Sequence, residues 1–135
     1  MTELELIIDL HKNSERQGPG SEKDTLRALD LLNLPTDQNL KVADIGCGSG
    51  GQTISLAKNL SGQITAVDLF PAFLKELNEK SQKLDLKAKI VTLEKSMDDL
   101  PFNKEEFDLI WSEGAIYNIG FENGLKKWRE YLKVD

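Results

Sequence analysis

The chain has 135 residues, 39% of them hydrophobic and 30% charged, with a net charge of −6; this is enough for one soluble domain with its own core and too little for two. The acidic balance disfavours a nucleic-acid or membrane-surface partner. No apolar run approaches the roughly 18–20 residues of a membrane span, and the N-terminus lacks the basic-then-apolar start of a signal peptide. One cysteine and one histidine exclude an internal disulfide and a multi-cysteine zinc site, so no metal is expected and the expected setting is the cytoplasm.

From the N-terminus, Thr2-Glu3-Leu4-Glu5 fits a helix capping box, and Leu4, Ile7, Ile8 and His11 then share one helical face. The polar stretch 13–20 ends Gly18-Pro19-Gly20, which reads as a loop. Ser21-Glu22-Lys23-Asp24 opens a second helix, buried through Leu26, Leu29 and Leu32 and stopped by Pro35. Beyond it, strands at 41–45, 63–68, 88–93 and 107–111 alternate with helices at 51–60, 71–84 and 122–132. Ile54, Leu56, Ala57 and Leu60 suit one side of the first of these helices. Pro71 sits where a missing N–H costs nothing, and Leu74, Leu77 and Leu84 supply that helix's apolar side. Leu125, Trp128 and Leu132 do so for the last helix. Such alternation implies α/β architecture, with a parallel sheet, right-handed crossovers and helices on its faces.

In a sheet of this kind the ligand lies beyond the carboxyl ends of the strands. Four segments meet on that rim: the loop from Asp44, Asp68-Leu69-Phe70, the stretch 94–97, and Ser112-Glu113-Gly114. The first, Asp44-Ile45-Gly46-Cys47-Gly48-Ser49-Gly50-Gly51, joins strand to helix through glycines. Missing Cβ atoms let a ligand reach the backbone, and helix N–H groups point at it. Asp68, about twenty residues on at the next strand end, is placed to hold ribose hydroxyls, so a nucleoside-bearing cofactor is expected.

Two cofactors want such a loop. Gly46-x-Gly48-x-x-Gly51 with Asp68 satisfies the dinucleotide fingerprint, which makes an NAD(P)-binding oxidoreductase domain the rival reading. Asp44 decides between them. A carboxylate two residues before the first glycine repels a pyrophosphate, whereas S-adenosylmethionine has no phosphate and carries an ammonium and a sulfonium. A module that binds the cofactor without doing chemistry is a third possibility.

The chain resembles the N-terminal part of a Rossmann-fold, class I S-adenosylmethionine-dependent methyltransferase. The resemblance rests on Asp44-Ile45-Gly46-Cys47-Gly48-Ser49-Gly50, on Asp68, and on Met97-Asp98-Asp99-Leu100-Pro101-Phe102 followed by Phe107-Asp108-Leu109-Ile110-Trp111-Ser112. It implies a Rossmann-like three-layer sandwich whose visible strands run in the order 3-2-1-4. It implies that Gly46, Gly48 and Gly50, with Cys47 between them, admit the methionine part and ribose. Asp68 is implied to accept from both ribose hydroxyls, and Leu69 or Phe70 to pack on adenine. Ser96 and Met97 stand where the family often has an Asp-Ala-like pair at the adenine; Ser96 departs from that pattern and keeps only a hydroxyl there. Trp111 and Ser112 are implied to lie near the sulfonium, and Arg16 in a segment that closes over the cofactor. Residues 1–20 then form an N-terminal helix and lid, and 21–135 a cofactor-binding domain.

Plainer roles stand beside these. Asp44 also suits capping of its own turn, and Cys47 is expected to be a small loop residue with no basic partner to make it a nucleophile. His11 suits core packing or a lid, and Asp98, Asp99, Lys104, Glu105 and Glu106 suit a solvated surface. Trp111 and Trp128 are core residues first, while Glu113, Tyr117 and Asn118 are candidates for substrate contact. No general base is assigned. The family's sheet has seven strands, so the chain is expected to be cut before the fifth, by truncation, by a broken gene, or as a fragment that another chain completes. The apolar strand at 107–111 would then be an open edge that invites dimerisation. The expected reaction is methyl transfer to a small-molecule acceptor.

Overall fold

The expected alternation folds into a four-stranded sheet of order β3-β2-β1-β4, parallel throughout. The computed structural model describes residues 19–32, 34, 38–48, 50–112 and 121–133. In chain order the elements are α1 (Pro19–Leu32), β1 (Leu40–Ile45), α2 (Gly51–Asn59), β2 (Gly62–Asp68), α3 (Pro71–Lys83), a 3₁₀ turn (Lys87–Lys89), β3 (Ile90–Glu94), β4 (Leu109–Trp111) and α4 (Phe121–Arg129). No described helix is long and apolar enough to cross a membrane. The expected first helix lies outside the described residues.

The central strand β1 sets the core. Val42, Ala43, Asp44 and Ile45 are all buried, because neighbouring strands flank β1 on both edges and helices cover both faces. Alternate side chains feed two apolar clusters. Leu40 and Val42 face a layer built from α1, α2 and α3, through Ala28, Leu56, Leu74 and Leu77. Ala43 and Ile45 face Phe107, Trp128 and Leu132, backed by Met97, Leu100 and Phe102. Phe107 and Trp128 are the large anchors of this second face. Phe102 meets Phe107 edge-on at 4.7 Å between ring centroids.

Several details differ from the sequence reading. Pro19 and Gly20, expected in a loop, lie within α1, since proline's fixed φ suits a first helical turn. The buried line of α1 runs through Thr25 and Ala28, with Leu29 and Leu32 half-buried, while Leu26 is exposed; positions 25, 28, 29 and 32 form one helical stripe, and 26 lies off it. Leu84 is exposed because α3 ends at Lys83, and Ser81 takes the third inward position. β3 starts at Ile90 rather than 88, because Lys87–Lys89 turn in 3₁₀ form. The Lys89 ammonium then donates to the Ala57 and Leu60 carbonyls at the end of α2, at 2.8 and 3.0 Å.

The largest difference lies at the C-terminal end. The last helix stops at Arg129 rather than 132. Leu132 instead forms a parallel bridge with Phe107. The Phe107 N–H donates to the Tyr131 carbonyl and the Lys133 N–H to the Phe107 carbonyl, both at 2.8 Å. The helix unwinds because these peptide groups pair beside the fourth strand. Regular β4 pairing with β1 is confined to Leu109–Trp111, and the chain's own Leu132 takes the place beside Phe107 that the sequence left open.

Candidate cofactor site

The strand–loop–helix unit at β1 is fastened from both sides. The Gly46 and Cys47 N–H groups donate to the Val67 carbonyl at 2.7 and 2.9 Å, tying the loop to the end of β2. The Gly50 N–H donates to the Cys47 carbonyl at 3.2 Å, and the Gln52 side-chain amide donates to the same oxygen at 2.9 Å. Gly50 caps α2 at φ 93 with no side-chain cap. A Cβ on Gly50 would stand 2.3 Å from Leu77 Cδ1, so the close approach of loop to α3 demands glycine. Gly48, at φ 59, is different: among the described residues a Cβ there would meet nothing within 4 Å beyond its chain neighbours. Glycine at 48 leaves an open space over the loop backbone.

Asp68 links this loop to the next one. Its Oδ2 accepts the Gly48 N–H at 2.9 Å and its Oδ1 accepts the Phe70 N–H at 3.0 Å. Its carbonyl accepts the Lys95 N–H at 3.1 Å, which draws in the segment after β3. Leu69 and Phe70 are 55% and 58% exposed on this rim, so they offer apolar area to a ligand, and Phe73 stacks edge-on against Phe70. Ser96, half-buried, donates its hydroxyl to Asp98. Met97 lies half-buried with its carbonyl accepting the Trp128 indole N–H at 3.2 Å. Asp98 and Asp99 are exposed. Glu106, expected in the solvated run, is half-buried and pairs with Lys41 at 3.3 Å.

Asp44 is wholly buried at the end of β1, level with Ala66 of β2 and Trp111 of β4. Its Oδ2 accepts the Thr53 hydroxyl at 2.5 Å. Cys47 is buried, and its thiol lies 3.4 Å from the Gly48 carbonyl. Burial above all, then the Asp44 and Asp68 carboxylates, pushes the Cys47 thiol well above its ordinary range. A thiol that keeps its proton is no nucleophile. Trp111 and Ser112 are buried where β4 ends, and the Ser112 hydroxyl has no hydrogen-bond partner among the described residues.

The structure thus brings Asp44, Gly46, Cys47, Gly48, Gly50, Asp68, Leu69, Phe70, Ser96, Met97, Trp111 and Ser112 to the carboxyl side of one sheet. His11, Arg16, Ser49, Glu113, Tyr117 and Asn118 lie outside the described residues. Two residues escaped the sequence reading: Thr53, which holds Asp44, and Gln52, which holds the loop carbonyl. The signal for Thr53 was a polar residue beside the run 54–57, where both Thr53 and Ser55 prove as buried as their apolar neighbours.

A parallel α/β sheet with a glycine loop at the end of β1 and an acid at the end of β2 defines a nucleoside-cofactor fold. A profile described as a methyltransferase domain matches residues 42–135, and the chain belongs to that family. The chain is 31% identical over 121 residues to an uncharacterised protein of Haemophilus influenzae, covering 88% of this chain and 47% of that protein. It is 32% identical over 133 residues to 2-methyl-6-phytyl-1,4-hydroquinone methyltransferase 2 of rice, covering 97% of this chain and 36% of that enzyme. In structure it resembles geranyl diphosphate C-methyltransferase from Streptomyces coelicolor, with a TM-score of 0.71, 18% identity, and coverage of 95% of this chain and 52% of that one. The chain spans less than half the length of those two sequence relatives. The family match falls on the methyltransferase side of the alternative posed by Asp44, and the dinucleotide reading is left without support.

Proposed function

We propose that this chain is the S-adenosylmethionine-binding part of a methyltransferase that acts on a small-molecule acceptor. The observation that carries the proposal is the charge of the loop. Two carboxylates flank it, Asp44 near the end of β1 and Asp68 against the Gly48 N–H, and an anionic loop of this kind favours a ligand with cationic groups over a pyrophosphate. The residues fit such a ligand in three further ways. Among the described residues, the space over Gly48 is open, exposed Leu69 and Phe70 offer an apolar surface to a purine, and the buried Ser112 hydroxyl has no hydrogen-bond partner.

When bound, S-adenosylmethionine supplies an activated methyl group that an acceptor nucleophile takes by in-line displacement. The chain's own residues hold and shield. Each Asp68 oxygen accepts one backbone N–H, and a carboxylate oxygen has a second lone pair for a ribose hydroxyl. Leu69 and Phe70 exclude water from the base, with Ser96 and Met97 beside it. Asp44 supplies negative charge toward the ammonium and sulfonium, directly or through water. Trp111 and Ser112 close the floor at the end of β4. The rice relative is named for a hydroquinone, a small molecule, which supports an acceptor of that class.

The test is a thermal-shift titration with S-adenosylhomocysteine, followed by incubation with methyl-labelled S-adenosylmethionine and candidate hydroxyl, amine and carbon acceptors. Ligand at about 100 times its dissociation constant stabilises a fold by about 2.7 kcal/mol. The reading fails if the nucleoside thioether leaves the melting temperature unchanged at millimolar concentration.

A further inference from the structure

Asp44 is wholly buried, and a carboxylate removed from water needs hydrogen-bond donors to remain ionised. One donor is clear. Thr53 is equally buried, and its Oγ1 stands 2.5 Å from Asp44 Oδ2. An ionised carboxylate only accepts, so the hydroxyl is the donor. Thr53 is the third residue of α2, and its neighbours Ile54, Ser55, Leu56 and Ala57 are buried with it. A β-branched side chain in a helix is nearly fixed at χ1, apart from the choice that places its hydroxyl. The start of the helix is itself fixed, since its N-cap Gly50 lies against Leu77 and donates its N–H to the Cys47 carbonyl at 3.2 Å. Burial and the bond to Asp44 select the rotamer, so Thr53 presents its hydroxyl to the carboxylate that precedes the loop.

We propose that Thr53 is a positioning residue for the amino-acid end of the methyl donor: its hydroxyl fixes the direction of the Asp44 carboxylate, and through it the charge that meets the donor's ammonium. The inference rests on the cofactor reading above and adds to it a residue that touches no ligand. Without the hydroxyl, Asp44 Oδ2 loses the donor that sets its direction, and the charge is held less firmly toward the ligand. The nucleoside end of the ligand depends on Asp68, Leu69 and Phe70, and is untouched by that change.

The experiment is calorimetric titration, well below the melting temperature, with two probes that share the nucleoside thioether. S-adenosylhomocysteine carries the amino-acid end; 5′-methylthioadenosine lacks it. Thr53→Val keeps the side-chain shape and removes the donor, with Thr53→Ala as the second variant where valine impairs folding. The expected result is a loss of about tenfold or more for S-adenosylhomocysteine, the scale of a hydrogen bond to a charged group, with 5′-methylthioadenosine within about twofold of wild type. Thr53→Ser restores the first affinity, and Thr53→Val adds nothing in an Asp44→Asn background. Equal losses for both probes make Thr53 a structural residue only and overturn the proposal, as does an unchanged affinity for S-adenosylhomocysteine. Wild-type chain that binds neither probe overturns the cofactor reading and the Thr53 proposal together; wild-type binding with an unaffected valine variant overturns the Thr53 proposal alone.

Discussion

Alanine at Gly48 and alanine at Gly50 should have opposite consequences. Both positions have left-handed backbone, φ 59 and φ 93, where a Cβ costs about 1–2 kcal/mol. At Gly50 the new methyl also falls 2.3 Å from Leu77 Cδ1 and 3.2 Å from Leu77 Cβ. Leu77 is fully buried and the close approach extends back to its Cβ, so overpacking adds about 1–3 kcal/mol. Gly50→Ala should therefore lose about 2–5 kcal/mol, a large share of the roughly 5–15 kcal/mol of an ordinary domain. At Gly48 the methyl meets no atom within 4 Å among the described residues beyond its chain neighbours, and the loss should stay near 1–2 kcal/mol. That methyl instead enters the space assigned to the ligand. Urea denaturation and calorimetry with S-adenosylhomocysteine separate the two effects. Gly48→Ala should be the more stable variant and the poorer binder, weaker than wild type by about tenfold or more, the scale of a steric loss of 1–3 kcal/mol. Equal destabilisation by both substitutions, or full binding by Gly48→Ala, would refute the reasoning.

Lys89→Met keeps the aliphatic stem and removes the ammonium from the Ala57 and Leu60 carbonyls; stability should fall by about 1–2 kcal/mol, allowing for partial solvent exposure, and an unchanged urea midpoint would remove Lys89 as the cap of α2. Burial, aided by Asp44 and Asp68, makes the folded chain hold the Cys47 proton more tightly than the unfolded chain does. The stability this contributes is complete below the unfolded thiol's pKa, about 8.5, and declines as pH rises beyond it. Urea midpoints from neutral to alkaline pH should fall more steeply for wild type than for Cys47→Ala, and parallel slopes would contradict the assignment. Trp128→Phe should loosen the segment after β3, because its indole N–H no longer reaches the Met97 carbonyl; faster amide exchange at residues 97–100 is the readout, and unchanged exchange would count against it.

The sheet was legible in the sequence because its determinants are local and periodic. Apolar runs ended by Asp44, Asp68 and Trp111 mark strands buried on both faces, and the crossover rule leaves few orders for them. The rim was legible for the same reason, since strand ends and glycine turns are sequence events. What escaped depends on partners distant in the chain. Leu132 continues the helical spacing of Leu125 and Trp128, yet its peptide neighbours pair with Phe107, and nothing in the spacing announces that exchange. Of the leucines expected to face inward from α1, Leu29 and Leu32 do so and Leu26 does not; the small Thr25 and Ala28 complete the stripe where that helix meets α2. Thr53 gives no periodic signal at all. Its importance comes from a carboxylate nine residues earlier that the fold places against it.

The central claim is that the loop from Asp44 to Gly50, with Asp68, binds a nucleoside thioether rather than a dinucleotide. Calorimetric titration of the chain with S-adenosylhomocysteine and with NAD in parallel, repeated for Asp68→Ala, tests it most directly. The account predicts saturable binding of S-adenosylhomocysteine, none of NAD, and a loss of about a hundredfold in the variant, which removes the charged acceptor of ribose hydroxyls and of the Gly48 and Phe70 N–H groups. Binding of NAD, or S-adenosylhomocysteine binding that survives the loss of Asp68, would contradict it.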